Sequence, residues 1–96
     1  MKVRLLSLAE SEYRAAYDYY NEVVLGLGDQ FRDEIVDAVQ RMIDFPDAWQ
    51  QMSKRTRRCR LERFPYGIVY QHRSDELLVV AIMHLKQAPD YWVNRL

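Results

Sequence analysis

Cationic side chains that could hold an anion are concentrated in one short stretch of this 96-residue chain. Residues 54–63 read KRTRRCRLER and contain six Lys or Arg against one acid, Glu62. Guanidinium groups in such a stretch can bind phosphates, pair with acidic residues of their own chain, or hold an acidic partner. The sequence leaves all three interpretations open.

A second group of side chains could support acid–base chemistry on RNA. Attack of a ribose 2′-OH on its own phosphate needs a base, an acid and cations, but no metal ion. The candidate nuclease set, expected to share one face, is His84, Lys86, Tyr91, Arg58 and Arg60. The alternative to catalysis is that His84, in phase with Val80 and Ile82, is a half-buried histidine bonded to backbone, and that Tyr91 anchors the tail by packing.

The formal net charge of zero conceals an asymmetry between the two halves of the chain. Residues 1–50 carry five bases and ten acids, whereas residues 51–96 carry nine bases and four acids. A pI of about 6.7 argues against general coating of nucleic acid, although a local basic site is compatible with it. The asymmetry indicates an interaction surface.

Composition and motifs exclude several classes of protein. The single cysteine, Cys59, cannot form an internal disulfide, and the absence of a CxxC motif or a His/Cys cluster predicts no metal and no cofactor. No apolar run approaches the roughly 20 residues of a membrane span, and the N-terminus does not resemble a signal peptide. We therefore expect a cytoplasmic protein without membrane association, folded as one domain over residues 1–96.

The first half of the chain predicts a strand and a helical hairpin. KVRLL at 2–6 is typical of a strand, and S-L-A-E at 7–10 matches the capping box that begins a helix. The glycines of G-L-G at 26–28 end this helix, and a second helix is expected from near Asp29 to Pro46. The apolar face of the first helix consists of Ala9, Tyr13, Ala16, Tyr17, Tyr20, Val23 and Val24.

The second half changes to the two-residue period of strands. Arg58 and Arg60 alternate with Cys59 and Leu61, and GIVYQHR and LLVVAIMHL follow as two further strands. The order β-α-α-β-β-β predicts an α+β fold with the helical hairpin on one face of a mostly antiparallel four-stranded sheet. A short helical tail, PDYWVNRL, is expected at the C-terminus.

Three segments of the sequence carry a family resemblance. GLGDQF at 26–31, RRCRLERFPYGIVY at 57–70 and HLKQAPDYW at 84–92 together resemble the RelE/ParE superfamily of type II toxin–antitoxin toxins. Within it they are most similar to the ParE-like branch, which is often labelled plasmid stabilisation proteins. Relatives tend to have an arginine where this chain has Gln87, and the adjacent Lys86 supplies charge without a bidentate fork.

The resemblance implies a small toxin that is neutralised by a co-expressed antitoxin in a hetero-oligomer. ParE-like members are associated with poisoning DNA gyrase, and RelE-like members cut mRNA on the ribosome. Because a ribosome-bound nuclease would be expected to carry excess positive charge, the neutral chain favours a gyrase-binding inhibitor that is not an enzyme. The alternatives are a metal-independent mRNA endonuclease, or an antitoxin-binding module whose toxicity was lost with the change at Gln87.

These expectations assign two sets of binding residues. The antitoxin should present a C-terminal segment with apolar anchors and several Asp or Glu, and Tyr19, which lies off the apolar helix face, is expected to be exposed to it. The predicted target-binding residues are Arg58, Arg60, Arg63, Lys86 and Tyr91. The predicted antitoxin-binding residues are Tyr13, Tyr17, Tyr19, Tyr20 and Arg57.

Overall fold

The computed structural model describes residues 1–96 as two helices packed on one face of a five-stranded sheet of order β1-β5-β4-β3-β2. The predicted α+β class and helical hairpin are confirmed, with five strands instead of four. The sheet is mixed, since β1 runs parallel to β5 and the other pairs are antiparallel. The elements are β1 (Lys2–Leu5), α1 (Ser7–Val23), α2 (Leu27–Asp44), β2 (Gln50–Gln51), β3 (Arg57–Arg60), β4 (Tyr66–Arg73), β5 (Glu76–His84) and a 3-10 turn (Val93–Arg95).

The first helix begins without the predicted capping box. Leu6 is the N-cap, and no side chain caps the first turn. The Leu6 N–H donates to the Val79 carbonyl at 3.0 Å, so that the chain passes directly from β1 into α1 and Ser7 already lies inside the helix. Glu10 is thereby free to pair with Arg14 at 2.7 Å.

The turn between the helices is built by glycine and Asn21. Gly26 has φ of 90°, a left-handed conformation that glycine adopts without strain. The Asn21 side-chain oxygen accepts the N–H groups of Gly26 and Gly28 at 3.1 and 2.8 Å. The second helix therefore begins at Leu27 and is not capped by Asp29, whose carboxylate instead accepts the Tyr17 hydroxyl at 2.6 Å.

The sheet has an apolar core on each of its faces. The smaller core lies on the face away from the helices, and the C-terminal tail covers it. Its largest side chain is Trp92, which is 1% exposed. The remaining buried residues of this smaller core are Val69, Val80, Ala81 and Met83. The larger core under the helices includes Phe31, Ile35, Met42, Cys59, Phe64, Ile68, Tyr70, Leu77, Val79 and Ile82. Neither helix combines the length and the apolar character that a membrane span requires.

An irregularity in β5 changes which face its last residues occupy. Val69 pairs with Ala81 and Tyr70 pairs with Val79, which leaves Val80 as an extra residue. Val80 packs in the core under the tail, whereas Ile82 packs under the helices. The predicted phase of His84 with Val80 is therefore wrong: beyond the bulge, the histidine follows Ile82 onto the helix side.

Candidate functional site

The cationic side chains of the second half are almost entirely free of acidic partners. Arg95 is the only Lys or Arg beyond residue 50 that makes an ion pair. The acidic hairpin forms its ion pairs with arginines of the first half, Arg14 and Arg32. The arginine stripe therefore makes no ion pair with its own chain, and its arginines are either solvated or open to an external anion or an acidic partner.

Alternation along β3 divides these arginines between the two faces of the sheet. Arg57 lies opposite Tyr70 and shares its face under the helices, and the Arg57 guanidinium donates to the Trp49 carbonyl at 2.9 Å. Arg58 and Arg60 lie opposite Val69 and Gly67 on the other face. The strand thus places two neighbouring guanidiniums on the helix-free face.

Arg58 is fixed against this face by close packing. A Cβ on Gly67 would lie 2.8 Å from Cγ and Cδ of Arg58, so that glycine leaves the space through which the arginine passes. The guanidinium donates to Gln50 Oε1 at 3.0 Å, while the buried Nε has no partner. Burial, and secondarily the charge of Arg60, lowers the pKa of Arg58. A guanidinium held in one orientation in this way suits recognition of a carboxylate or phosphate.

Arg60 and Arg63 differ in the contacts that their side chains make with the rest of the protein. Arg60 is exposed and makes no side-chain hydrogen bond. Arg63 donates to the Gln30 side chain and lies 5.6 Å from the Phe64 ring centroid, so it is held against α2. Of the two, Arg60 is the guanidinium available to a binding partner.

The end of β5 is organised around His84. Its ring meets that of Tyr66 edge-on at 5.0 Å, and its Nδ1 accepts the Lys86 N–H at 3.1 Å. The His84 N–H donates to Gln87 Oε1 at 2.9 Å, and the Gln87 N–H donates to the His84 carbonyl at 3.0 Å. Gln87 therefore terminates the strand through its acceptor oxygen, a contact that arginine cannot make.

The structure does not bring the candidate nuclease residues together. His84 pairs with Tyr66 on the helix side of the sheet, whereas Arg58 and Arg60 lie on the opposite side. The expectation that the arginines share the face of the histidine is wrong, because the bulge in β5 reverses the phase. Lys86 is exposed in the turn after β5. The sheet lies between the arginines of β3 and His84.

Tyr91 belongs to a polar cluster that locks the C-terminal tail onto α1. Its hydroxyl donates to Glu12 Oε2 at 2.6 Å, and Arg95 donates to both Glu12 oxygens at 2.8 and 3.0 Å. Burial and the hydrogen bond to Glu12 raise the pKa of Tyr91, which keeps this hydroxyl protonated. The hydrogen bonds that Arg95 donates to Glu12 likewise raise the pKa of Arg95. Tyr91 therefore serves packing and positioning of the tail in this structure.

The same cluster closes the edge of β5 beyond the end of β1. Glu12 Oε1 accepts the Ile82 N–H at 3.1 Å, and Arg95 donates to the Val80 carbonyl at 3.1 Å. Together with Gln87 at the His84 N–H, side chains occupy backbone groups that a further strand would use. The role of Glu12 was not predictable from local sequence, because its partners lie 70 or more positions away along the chain.

Only one of the four tyrosines predicted to meet an antitoxin is well exposed. Tyr13 and Tyr20 pack on Phe31, with ring centroids 6.0 and 5.5 Å apart, and Tyr17 is held by Asp29 between the helices. Tyr19 is 59% exposed, as its position off the apolar face predicted. Tyr13, Tyr17 and Tyr20 thus stabilise the helical hairpin, and Tyr19 is available to a partner.

An apolar stripe that the sequence analysis did not identify runs along the outside of α1. Leu8 and Val23 are 54% and 56% exposed, and with Ala15 and Tyr19 they recur at the spacing of one helix face. Beside the stripe lies a groove of about 290 Å³ between α1 and the ends of β4 and β5. Its lining comprises Glu12, Ala15, Ala16, Tyr66, Ile82, His84 and Gln87. The stripe could have been predicted from the helical spacing of the apolar residues at positions 8, 15, 19 and 23.

Comparisons with known proteins agree with this architecture. A family model described as the ParE toxin of the type II toxin–antitoxin system parDE matches residues 3–89. A solved structure titled as the chromosomal ParDE toxin–antitoxin system from P. aeruginosa superposes with a TM-score of 0.75, at 19% identity, over 88% of this chain and 95% of that chain. At this identity the superposition establishes the shared fold. Among curated protein sequences no match is found.

Proposed function

Because the chain belongs to the ParE toxin family of type II toxin–antitoxin systems, we propose that it arrests growth by binding DNA gyrase and is neutralised by a cognate antitoxin. The observation that carries the proposal is the lack of an ion pair for Arg58, Arg60 and Lys86. Unpaired cations held on a folded surface favour recognition of an acidic protein surface, for which complementary charge raises the association rate and the specificity.

The proposed target-binding surface is the helix-free face of the sheet. The Arg58 side chain is held over Gly67 and by its hydrogen bond to Gln50, and Arg60 is exposed beside it. Lys86 is exposed after β5, and Tyr91 contributes by holding the tail that covers this face. Separation of His84 from both arginines supports binding over mRNA cleavage, because acid–base catalysis needs its groups around one reacting phosphate.

The proposed antitoxin site is the apolar stripe on α1 together with the adjoining groove. An amphipathic helix placed in the groove would cover Tyr19 and Val23 and lie against the aromatic pair of Tyr66 and His84. Exposed aromatic residues beside a pocket are the usual anchors of such interfaces.

The gyrase proposal is tested by supercoiling assays with purified protein and by pulse labelling after induction. We expect inhibition of supercoiling, and DNA synthesis that falls before protein synthesis. Arg60→Gln should weaken inhibition about tenfold, consistent with loss of one charged contact of roughly 1.5 kcal/mol. Arg14→Gln is the matched control, since this exposed arginine on α1 is paired with Glu10. Uninhibited supercoiling at micromolar protein, or an earlier fall in protein synthesis, would contradict the proposal.

The antitoxin proposal is tested separately, by affinity and by rescue of growth. Tyr19→Ser should weaken antitoxin binding by about 30-fold, the loss expected for an interface anchor of about 2 kcal/mol. Val36→Ser is the control, because Val36 is equally exposed, at 60%, but lies on α2. Equal affinities for the two variants would exclude the stripe as the docking surface while leaving the gyrase proposal intact.

A further inference from the structure

A basic groove lies at the end of the sheet where β3 begins and β4 ends. The groove has a volume of about 720 Å³ and is separate from the apolar groove beside α1. Its lining contains four Lys or Arg and one histidine against a single acidic side chain, Asp47. The lining residues that carry positive charge are Lys54, Arg55, Arg57 and Arg73, with His72 at 3.4 Å from Asp47.

Two of the four cations of this groove are held by hydrogen bonds, and all four lack an ion pair. The Arg57 guanidinium donates to the Trp49 carbonyl at 2.9 Å, and the Arg73 Nε donates to Gln71 Oε1 at 2.8 Å. Each contact uses one donor of the fork and leaves the others available. Lys54 and Arg55 are exposed on the β2–β3 loop and make no ion pair. The groove therefore holds a concentrated positive field with unused donors.

The remaining lining decides between two kinds of anionic ligand. Protein interfaces take most of their binding free energy from apolar and aromatic anchors in buried pockets. Leu96 is the only hydrophobic residue among the ten that line this groove. Its other lining groups, the amides of Gln51 and Gln71 and the hydroxyl of Thr56, are hydrogen-bonding groups that suit phosphate oxygens and sugars.

We propose that this groove binds the sugar–phosphate backbone of a nucleic acid, independently of gyrase inhibition. The lining offers no exposed aromatic side chain on which a base would stack, so contacts are expected with phosphates and without sequence preference. Because the chain has no net positive charge, binding is expected to depend on the local charge of the groove. DNA and RNA share the chemistry, and the probes below distinguish them.

The test measures fluorescence anisotropy of labelled single-stranded DNA, duplex DNA and single-stranded RNA of identical length over a salt series. Four phosphate contacts predict a slope of log K against log salt of about −3.6 for duplex and about −2.8 for single strands. Affinity should be about 1–100 µM near physiological salt. Arg55→Gln/Arg73→Gln should halve the slope. Lys2→Gln/Arg14→Gln, which removes the same net charge elsewhere, should leave the slope unchanged.

Three results would overturn the proposal. Equal losses in the groove variant and the Lys2/Arg14 control would mean that net charge alone determines binding. A larger loss in Arg60→Gln/Lys86→Gln than in the groove variant would place the nucleic acid on the helix-free sheet face. An oligoglutamate peptide that competes as well as DNA of equal charge would identify the groove as a site for acidic protein segments. Because supercoiling assays are not used here, failure leaves the gyrase proposal untouched.

Discussion

Removing the carboxylate of Glu12 is expected to release the C-terminal tail from the rest of the fold. This group accepts hydrogen bonds from Ile82, Tyr91 and Arg95, so Glu12→Ala leaves a guanidinium, a hydroxyl and a backbone N–H without their acceptor. The side chains of Arg95 and Glu12 are 14% and 21% exposed. The cost should therefore lie between that of an exposed pair, up to about 1 kcal/mol, and that of a buried one, about 3–5 kcal/mol.

We expect Glu12→Ala to lower the free energy of unfolding by about 2–3 kcal/mol. In a protein of 96 residues this corresponds to a fall in Tm of roughly 10–20 °C. Urea unfolding followed by tryptophan fluorescence measures it, since Trp92 is buried under the tail at 1% exposure. Glu10→Ala is the matched control: its pair with Arg14 is exposed and should contribute less than about 0.5 kcal/mol.

A double-mutant cycle tests the reasoning more directly than either variant alone. Glu12→Ala combined with Arg95→Ala should be less destabilising than the sum of the single changes, with a coupling above about 1 kcal/mol. A coupling near zero, or a Glu12→Ala variant no less stable than Glu10→Ala, would refute the conclusion that this cluster holds the tail.

Two further predictions concern stability. Burial raises the pKa of Tyr70 to about 12; because tyrosine in the unfolded chain ionises near 10, stability should fall by about 2–3 kcal/mol as pH rises from about 10 to 12. Urea midpoints across this range measure the loss, and a Tyr70→Phe variant with the same slope would contradict it. Gln87→Arg removes the acceptor of the His84 N–H and should cost about 1 kcal/mol in urea unfolding, whereas Gln87→Glu keeps an acceptor and should cost less. Equal stability of the two variants would argue against this role.

Local periodicity was sufficient to predict the helical hairpin and the two long strands. Phe31, Ile35 and Ala38 recur at helical spacing and are buried, and Cys59 and Leu61 alternate with arginines as a half-buried strand requires. Such patterns depend on neighbouring residues alone. They identify the faces that a fold must cover.

Features that depend on distant parts of the chain were not predicted. The two-residue strand β2 has no recognisable pattern, and the parallel pairing of β1 joins residues more than 70 positions apart. The extra residue Val80 reversed the face of His84 and thereby separated the nuclease candidates. Tyr13, Tyr17 and Tyr20 pack in the hairpin, as their place on the apolar helix face indicated, and Tyr19 is the one well-exposed tyrosine of the predicted antitoxin-binding set.

The short and partly closed edges of the sheet affect how readily free copies of the protein associate with one another. Its edge strands are short, with four residues in β1 and two in β2, and the uncovered half of β5 is closed by Glu12, Arg95 and Gln87. Few free backbone N–H and C=O groups therefore remain at the edges for strand pairing between copies, which is the usual route to amyloid-like assembly. Free copies of the chain are therefore expected not to associate through their sheet edges.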